Sequence, residues 1–206
     1  MITLPAILLF ALAADPTPPA GLKAAAVQAA ASRLEPAWGM ARKIWEFAEP
    51  GYLEKESSAL LAGALEAEGF RVKRGVAGIP TALVAEAGTG KPVIAILGEY
   101  DALPELSQEA EPFRKPRPGG NGYGQACGHH LFGVASATAA MALHDLIKSG
   151  QLKGTVRFYG CPAEEGERPR RSWCGRGCST MWTRRCTGTR AAGTRRGMPR
   201  VCRVSP

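Results

Sequence analysis

Three short apolar runs, each bounded by glycine or proline, constrain the fold of this chain most strongly. They are residues 81–88 (TALVAEAG), 92–100 (PVIAILGEY) and 153–161 (KGTVRFYGC). Apolar runs of this length are typical of strands that are buried on both faces of a sheet. Residues 70–76 (FRVKRGV) alternate between apolar and polar side chains and predict a further strand.

Helical patterns separate these predicted strands. The Ala-rich stretch 22–48 has aromatic and aliphatic residues at helical spacing and predicts helices that are interrupted at Pro36. A second helix is predicted after the Pro50-Gly51 turn, and a third over residues 133–150, which Gly150 would end. Strands that alternate with helices indicate an α/β domain with a mixed sheet flanked by helices.

Charge and composition divide the chain into two parts. Residues 1–166 carry 15 Lys and Arg against 17 Asp and Glu, whereas residues 167–206 carry 11 Arg, one Glu and no Lys. Leu and Ile are absent from the second part, so we predict an irregular or disordered tail over 167–206. A GC-rich gene read in the wrong frame gives such a composition. We therefore hypothesise a frame shift near residue 166, which resequencing the locus would test.

The first 20 residues predict a signal peptide and a linker. Residues 1–14 (MITLPAILLFALAA) are apolar and end in small residues that suit a signal peptidase, although no Lys or Arg precedes them. This run is shorter than the roughly 20 apolar residues that span a bilayer. We expect a secreted or periplasmic protein with no membrane span, and the alternative is a buried amino-terminal helix in a cytoplasmic protein.

Polar residues that could perform chemistry lie where predicted strands end or a helix begins. In chain order they are Asp101, Cys127 with His129, and Glu164 with Glu165. A thiolate and an imidazole two residues apart suit a borderline-soft divalent metal, and a nearby carboxylate can serve as a base. Each residue alone has a structural alternative, such as a buried cysteine or a helix cap. Their shared position at strand ends favours a functional site.

Residues 38–166 resemble the amino-terminal part of the aminoacylase/carboxypeptidase family of metal-dependent amidohydrolases, in the branch of aminobenzoyl-glutamate hydrolase subunits and N-acyl-amino-acid hydrolases. The segments that carry the resemblance are IWEFAEPGYLEKESSALLAGALEAEGF, GVAGIPTALVAEAG, PVIAILGEYDALPELSQ, NGYGQACGHHLFGVASA and GTVRFYGCPAEEG. The resemblance implies an α/β catalytic domain with two divalent metal ions, zinc or manganese, with zinc favoured. It also implies hydrolysis of an amide bond in a small-molecule N-acyl amino acid or aminobenzoyl-glutamate-like substrate.

The same resemblance implies roles for five residues. Cys127 resembles the thiolate ligand of the family, His129 its imidazole ligand and Glu165 a carboxylate ligand. Glu164 resembles the general base that activates the bridging water and later protonates the leaving amine. Asp101 resembles the carboxylate that orients the metal-binding histidine.

Parts of the family pattern do not appear in this sequence. His130 stands where the family has Asn or Asp and takes no ligand role, and His144 precedes the two glutamates. Two late histidine ligands are therefore absent, which leaves the metal shell incomplete. The lid domain through which family members dimerise is absent as well. These gaps predict an amino-terminal fragment with low activity of its own.

The Arg-rich tail supports an alternative of a different class, a non-catalytic basic protein that binds nucleic acid. The net charge of +8 comes entirely from this tail, and Trp173 and Trp182 could stack on bases. We favour the hydrolase, with no nucleic-acid partner, because long collinear matches outweigh a basic tail that shows no periodic pattern.

Overall fold

The structure is a computed structural model that describes residues 21–165 and 201–204. The predicted signal peptide over 1–20, the predicted boundary at residue 166 and the rest of the Arg-rich tail lie outside the described residues. These predictions therefore stay predictions.

Within the described residues the chain forms four α-helices, one short 3₁₀ turn and seven strands. The helices are α1 (Leu22–Ala31), α2 (Leu34–Phe47), α3 (Lys55–Ala67) and α4 (His129–Lys148), and the 3₁₀ turn is Val76–Gly78. The strands are β1 (Arg71–Arg74), β2 (Leu83–Thr89), β3 (Val93–Glu99), β4 (Leu103–Pro104), β5 (Tyr123–Gly124), β6 (Gly154–Cys161) and β7 (Val201–Val204).

Five of these strands form one mixed sheet in the order β1-β2-β6-β3-β7. Strands β3 and β6 are parallel, and the other neighbours in the sheet are antiparallel. Leu97 is the register partner of Tyr159, and Glu99 is the register partner of Cys161, so the carboxyl ends of β3 and β6 lie side by side. The predicted α/β class with a mixed sheet and flanking helices is confirmed.

Helix α4 connects the two parallel strands and packs on the sheet, while α1, α2 and α3 pack against α4. Its length and composition would allow it to cross a membrane, but half of that stretch is buried inside the fold. The core contains side chains from each of these layers, among them Ile44, Leu61, Ile96 and Phe158, which are at most 2% exposed. Burial of such side chains provides the main driving force for this arrangement.

Three boundaries differ from the sequence prediction. The break between the first two helices falls at residues 32–33, and Pro36 lies in the first turn of α2, where its missing N–H costs no intrahelical bond. Helix α4 begins at His129, four residues before the predicted start, because polar residues in a first turn break the apolar pattern. Residues Val201–Val204 form β7 along β3, so this segment departs from the irregular tail that we predicted.

Acidification is expected to destabilise the fold through His144. The ring of His144 packs edge-on against Phe70 at a centroid distance of 5.0 Å. Burial and the charge of Lys148 lower the pKa of His144, and these effects outweigh the opposing charges of Asp145 and Glu68. Because the folded state favours the neutral ring, this contribution to stability is present above about pH 6.5 and is lost as the pH falls.

The measurement is urea unfolding of the wild type and His144→Leu at pH 7.5 and at pH 5. The wild type should lose more stability than the variant between the two pH values. Other histidines contribute equally to both proteins, so the difference isolates His144. Parallel losses in the two proteins would contradict this assignment.

Candidate metal centre

The site lies at the edge of the sheet where the parallel strands β3 and β6 end. Glu99 is the last residue of β3, and Asp101 follows it two positions later. Glu164 and Glu165 follow β6 after a short turn. Because β3 and β6 are neighbours in the same direction, four carboxylates from two distant parts of the chain meet at one edge.

The start of α4 delivers the remaining groups. Gly128 precedes the helix with φ +75°, a conformation that glycine adopts without steric cost, and it separates Cys127 from His129. Gln125 fixes this helix start, because its Nε2 donates to the backbone oxygen of Tyr100 and its Oε1 accepts from the backbone N–H of His130. The helix N-terminus also favours the negative charges that surround it.

Cys127, His129 and Glu165 form the first group of possible ligands. The Sγ atom of Cys127 donates a hydrogen bond to Oε1 of Glu165 at 2.7 Å, and Nε2 of His129 lies 4.0 Å from the same oxygen. One ligand atom from each residue lies within 4.8 Å of the other two. The structure thus brings the three predicted metal ligands together.

A second group shares His129. Its Nε2 lies 3.5 Å from Oε2 of Glu99 and 3.9 Å from Oε2 of Glu164, and these three residues also meet the 4.8 Å spacing. The other ring nitrogen, Nδ1, lies 3.0 Å from Oδ1 of Asp101 and 3.1 Å from its backbone oxygen. The backbone N–H of Glu165 also donates to Oδ2 of Asp101 at 3.4 Å. Asp101 therefore contacts the groups that it was predicted to orient.

The accumulated negative charge shifts the pKa values of the site. Burial alone would lower the pKa of His129, but the hydrogen bond and charge of Asp101, with the charge of Glu99, raise it to about 9. The hydrogen bond to Glu165, followed by burial, raises the pKa of Cys127 to about 11. Burial would raise the pKa of Asp101, yet the interaction with His129 lowers it. Protons on Cys127 and His129 thus balance part of the carboxylate charge.

This donor set fits a divalent metal. The thiol, the imidazole and the carboxylates are the ligand types that zinc accepts, and a cation would replace the protons that the site otherwise retains. The hydrogen bond between Asp101 and the far nitrogen of His129 matches the way carboxylates orient metal-binding histidines. His130 behaves differently, because burial lowers its pKa to about 4 and its Nδ1 has no hydrogen-bond partner among the described residues.

Sequence reasoning missed Glu99 and Gln125. Glu99 reads as an ordinary strand residue, and only the parallel register with β6 reveals its approach to His129. Gln125 falls in a Gly-rich and Pro-rich loop where its hydrogen bonds leave no pattern. A glutamate directly preceding a Tyr-Asp pair at a strand end was the one available signal for Glu99.

A cavity of about 710 Å³ opens beside this centre. Ala126, which directly precedes Cys127, belongs to its wall, and the wall also includes Trp45, Asn121, Tyr123, Arg114 and Arg117. Arg117 stacks over the ring of Trp45 at 5.1 Å. Arg114 is exposed and has no ion pair or hydrogen bond among the described residues. The cavity therefore combines aromatic surface with an available guanidinium group.

Replacing Glu165 with glutamine is expected to accelerate alkylation of Cys127 in metal-free protein by about tenfold or more, since thiolate is the reactive species. The carboxylate of Glu165 keeps this exposed thiol protonated, and an amide would not. Iodoacetamide labelling at pH 8, followed by peptide mass spectrometry, measures the rate. Cys161, which bonds to the backbone oxygen of Tyr159, provides the internal control. Equal rates at Cys127 in both proteins would contradict the prediction.

The comparisons with known proteins agree with this geometry. Residues 95–191 match the family described as Peptidase family M20/M25/M40. By sequence and fold, the chain is a member of this family of metal-dependent amidohydrolases and peptidases. The match runs past residue 166, the boundary predicted from composition, and that boundary stays a prediction.

Within the family, the chain is 50% identical over 130 residues to one of the subunits of the p-aminobenzoyl-glutamate hydrolase of Escherichia coli, a match that covers 62% of this chain and 26% of that protein. It is 34% identical over 128 residues to N-acetylcysteine deacetylase of Bacillus subtilis, covering 61% of this chain and 32% of the relative. The chain thus spans between a quarter and a third of these curated relatives.

Solved structures give the same result. The YXEP protein of Bacillus subtilis, described as a dinuclear metal-binding peptidase of the M20 family, is 31% identical with a TM-score of 0.57 and covers 76% of this chain and 40% of that one. The aminobenzoyl-glutamate utilization protein of Klebsiella pneumoniae is 21% identical with a TM-score of 0.51 and covers 77% of this chain and 43% of that one. The second likeness supports the fold alone.

Proposed function

We propose that this protein hydrolyses the amide bond of N-acyl amino acids or aminobenzoyl-glutamate-like substrates in a centre for two divalent metal ions, with zinc favoured over manganese. The observation that carries the proposal is the convergence of Cys127, His129 and Glu165 within ligand distance at the ends of two parallel strands. The names of the relatives supply the substrate class.

In this proposal Cys127, His129 and Glu165 hold one metal, and Glu99 with His129 faces the second position. A divalent metal in such a centre polarises a carbonyl group and lowers the pKa of water. Asp101 keeps the His129 ring oriented through Nδ1.

Glu164 acts as the general base. It accepts a proton from the water that attacks the amide carbon and passes that proton to the nitrogen as the C–N bond breaks. The products are a carboxylate and an amine. The position of Glu164 beside the ligands, with Oε2 at 3.9 Å from Nε2 of His129, supports this assignment.

The cavity next to Cys127 provides space for one part of a substrate. Its aromatic wall of Trp45 and Tyr123 suits an acyl group that contains a ring, and Arg114 offers a partner for a carboxylate. Pockets that bind small molecules combine these features in this way.

The deciding experiment combines metal binding with hydrolysis. The purified chain is titrated with Zn²⁺ and Mn²⁺, then incubated with p-aminobenzoyl-glutamate and with N-acetylated amino acids, and the released amine is measured. Because the two late histidines of the family pattern are absent, we expect stoichiometric metal binding with slow hydrolysis. Absence of metal binding would overturn the proposal. Salt-dependent DNA binding without metal would favour the basic binding protein instead.

We further propose that the protein is exported, on the basis of residues 1–14 in the sequence. Cleavage should leave a mature protein that begins at Ala14 or Asp15. Terminal sequencing of the protein from its native host tests this, and retention of Met1 would contradict it.

A further inference from the structure

Glu54 is a buried carboxylate that the proposed chemistry does not use. The residue is 0% exposed and precedes α3, yet its side chain makes no hydrogen bond to the start of that helix. Glu49 does this instead, since its carboxylate accepts from the backbone N–H groups of Glu56 and Ser57. Helix capping therefore does not explain why a carboxylate is buried at position 54.

The carboxylate of Glu54 bonds to the turn that carries the two catalytic glutamates. Its Oε1 accepts from the backbone N–H of Ala163 at 2.7 Å, and its Oε2 accepts from the hydroxyl of Thr81 at 2.8 Å. Ala163 directly precedes Glu164. A carboxylate that accepts two hydrogen bonds holds its partners more strongly than a neutral acceptor does.

Ala163 has a backbone conformation that requires support. Its φ of +52° is uncommon for a residue with a side chain and carries a conformational cost. It is 2% exposed and packs under Gly51, where an added Cβ would lie 2.7 Å from that of Ala163. This left-handed residue turns the chain after β6, so the directions of Glu164 and Glu165 depend on it.

The same network reaches the other half of the site. The hydroxyl of Tyr100 donates to the backbone oxygen of Thr81 at 2.6 Å, and Tyr100 directly precedes Asp101. Thr81 thus contacts both Glu54 and the end of β3. Burial raises the pKa of Glu54, which shows that the surroundings oppose its charge. An apolar residue would avoid that cost, so a role beyond stability explains the carboxylate best.

We propose that Glu54 is a positioning residue that fixes the turn at Ala163 and thereby aims Glu164 and Glu165 at Cys127 and His129. This inference rests on the proposed function only for the consequence, because the geometry of the turn does not depend on a bound metal.

The test uses Co²⁺ as a spectroscopic probe of the metal centre. Removing a residue that supports metal ligands typically weakens metal affinity about 10- to 100-fold. We expect this loss in Glu54→Leu, together with a changed thiolate-to-cobalt absorption band. Glu54→Gln should retain most of the affinity, because its amide oxygen can still accept from Ala163 and its amide nitrogen offers Thr81 a hydrogen-bond donor in place of an acceptor.

Two controls separate positioning from general destabilisation. Leu65→Ala removes a fully buried side chain of α3 far along the helix from Glu54 and should lower stability without altering the cobalt band. Glu56→Leu makes the same chemical change at an exposed position two residues away. All spectra are recorded well below the unfolding temperature of each variant. A folded Glu54→Leu with wild-type Co²⁺ affinity and spectrum would overturn the inference.

Hydrogen exchange of residues 161–165 provides a readout that needs no metal. Exchange should be faster in Glu54→Leu than in Glu54→Gln or Leu65→Ala, because the Ala163 amide loses its buried acceptor. If the wild type bound no Co²⁺, the proposed function would fail while this measurement still decided the role of Glu54. Unchanged exchange in Glu54→Leu would refute that role.

Discussion

Glu164→Gln is expected to lower the rate of amide hydrolysis about 10²- to 10⁴-fold, the usual contribution of general acid–base catalysis. Glutamine has nearly the same shape as glutamate but cannot accept the proton of water at neutral pH. Glu164 lies beside the ligand group, with its Oε2 3.9 Å from Nε2 of His129, so the change removes a base and leaves the surrounding packing intact. Metal affinity should change little.

Amine release and metal content are measured on the same preparations. Glu56→Gln, at an exposed position in the first turn of α3, is the matched control and should retain both. A Glu164→Gln protein that hydrolyses substrate within about threefold of the wild-type rate would contradict the general-base role. Loss of metal along with activity would assign Glu164 as a ligand, which its grouping with Glu99 and His129 permits.

The amino-acid pattern predicted the fold because its signals are local. The apolar runs that became β2, β3 and β6 and the Ala-rich helices follow from periodicity and from bounding Gly and Pro. The helix break near Pro36 was misplaced because a proline in the first turn costs little, so its position alone cannot distinguish a start from an interruption.

The ligand residues were identified from a resemblance and from their position at strand ends, whereas their support was not. Glu99 approaches His129 only because β3 and β6 are parallel neighbours in register. Glu54 bonds to a residue 109 positions later in the chain. Contacts of this kind depend on tertiary structure and leave no periodic trace in a single sequence, so a polar residue at a helix start reads as an ordinary cap.

Gly133→Ala is expected to destabilise the protein by about 1 to 3 kcal/mol, the usual cost of overpacking a close contact, and to weaken metal binding. Gly133 lies one turn after His129 in α4, and an added Cβ would overlap the backbone oxygen of Glu99. Gly98 on β3 forms the other side of this approach, since a Cβ there would lie 3.1 Å from Cα of Gly133. The helix must move away from β3 to accept the methyl group, and His129 moves with it.

The displacement of α4 separates His129 from Asp101 and Glu99, which the present geometry holds at 3.0 Å and 3.5 Å. Zn²⁺ affinity should therefore fall in addition to stability, which calorimetric titration and urea unfolding measure separately. Gly63→Ala in α3 is the matched control, because an added Cβ there meets no atom within 4 Å and should stabilise the helix by up to about 1 kcal/mol. If Gly133→Ala were as stable as the wild type and bound zinc as tightly, close packing between α4 and β3 would not set the position of His129. The metal centre would then depend on its own hydrogen bonds alone.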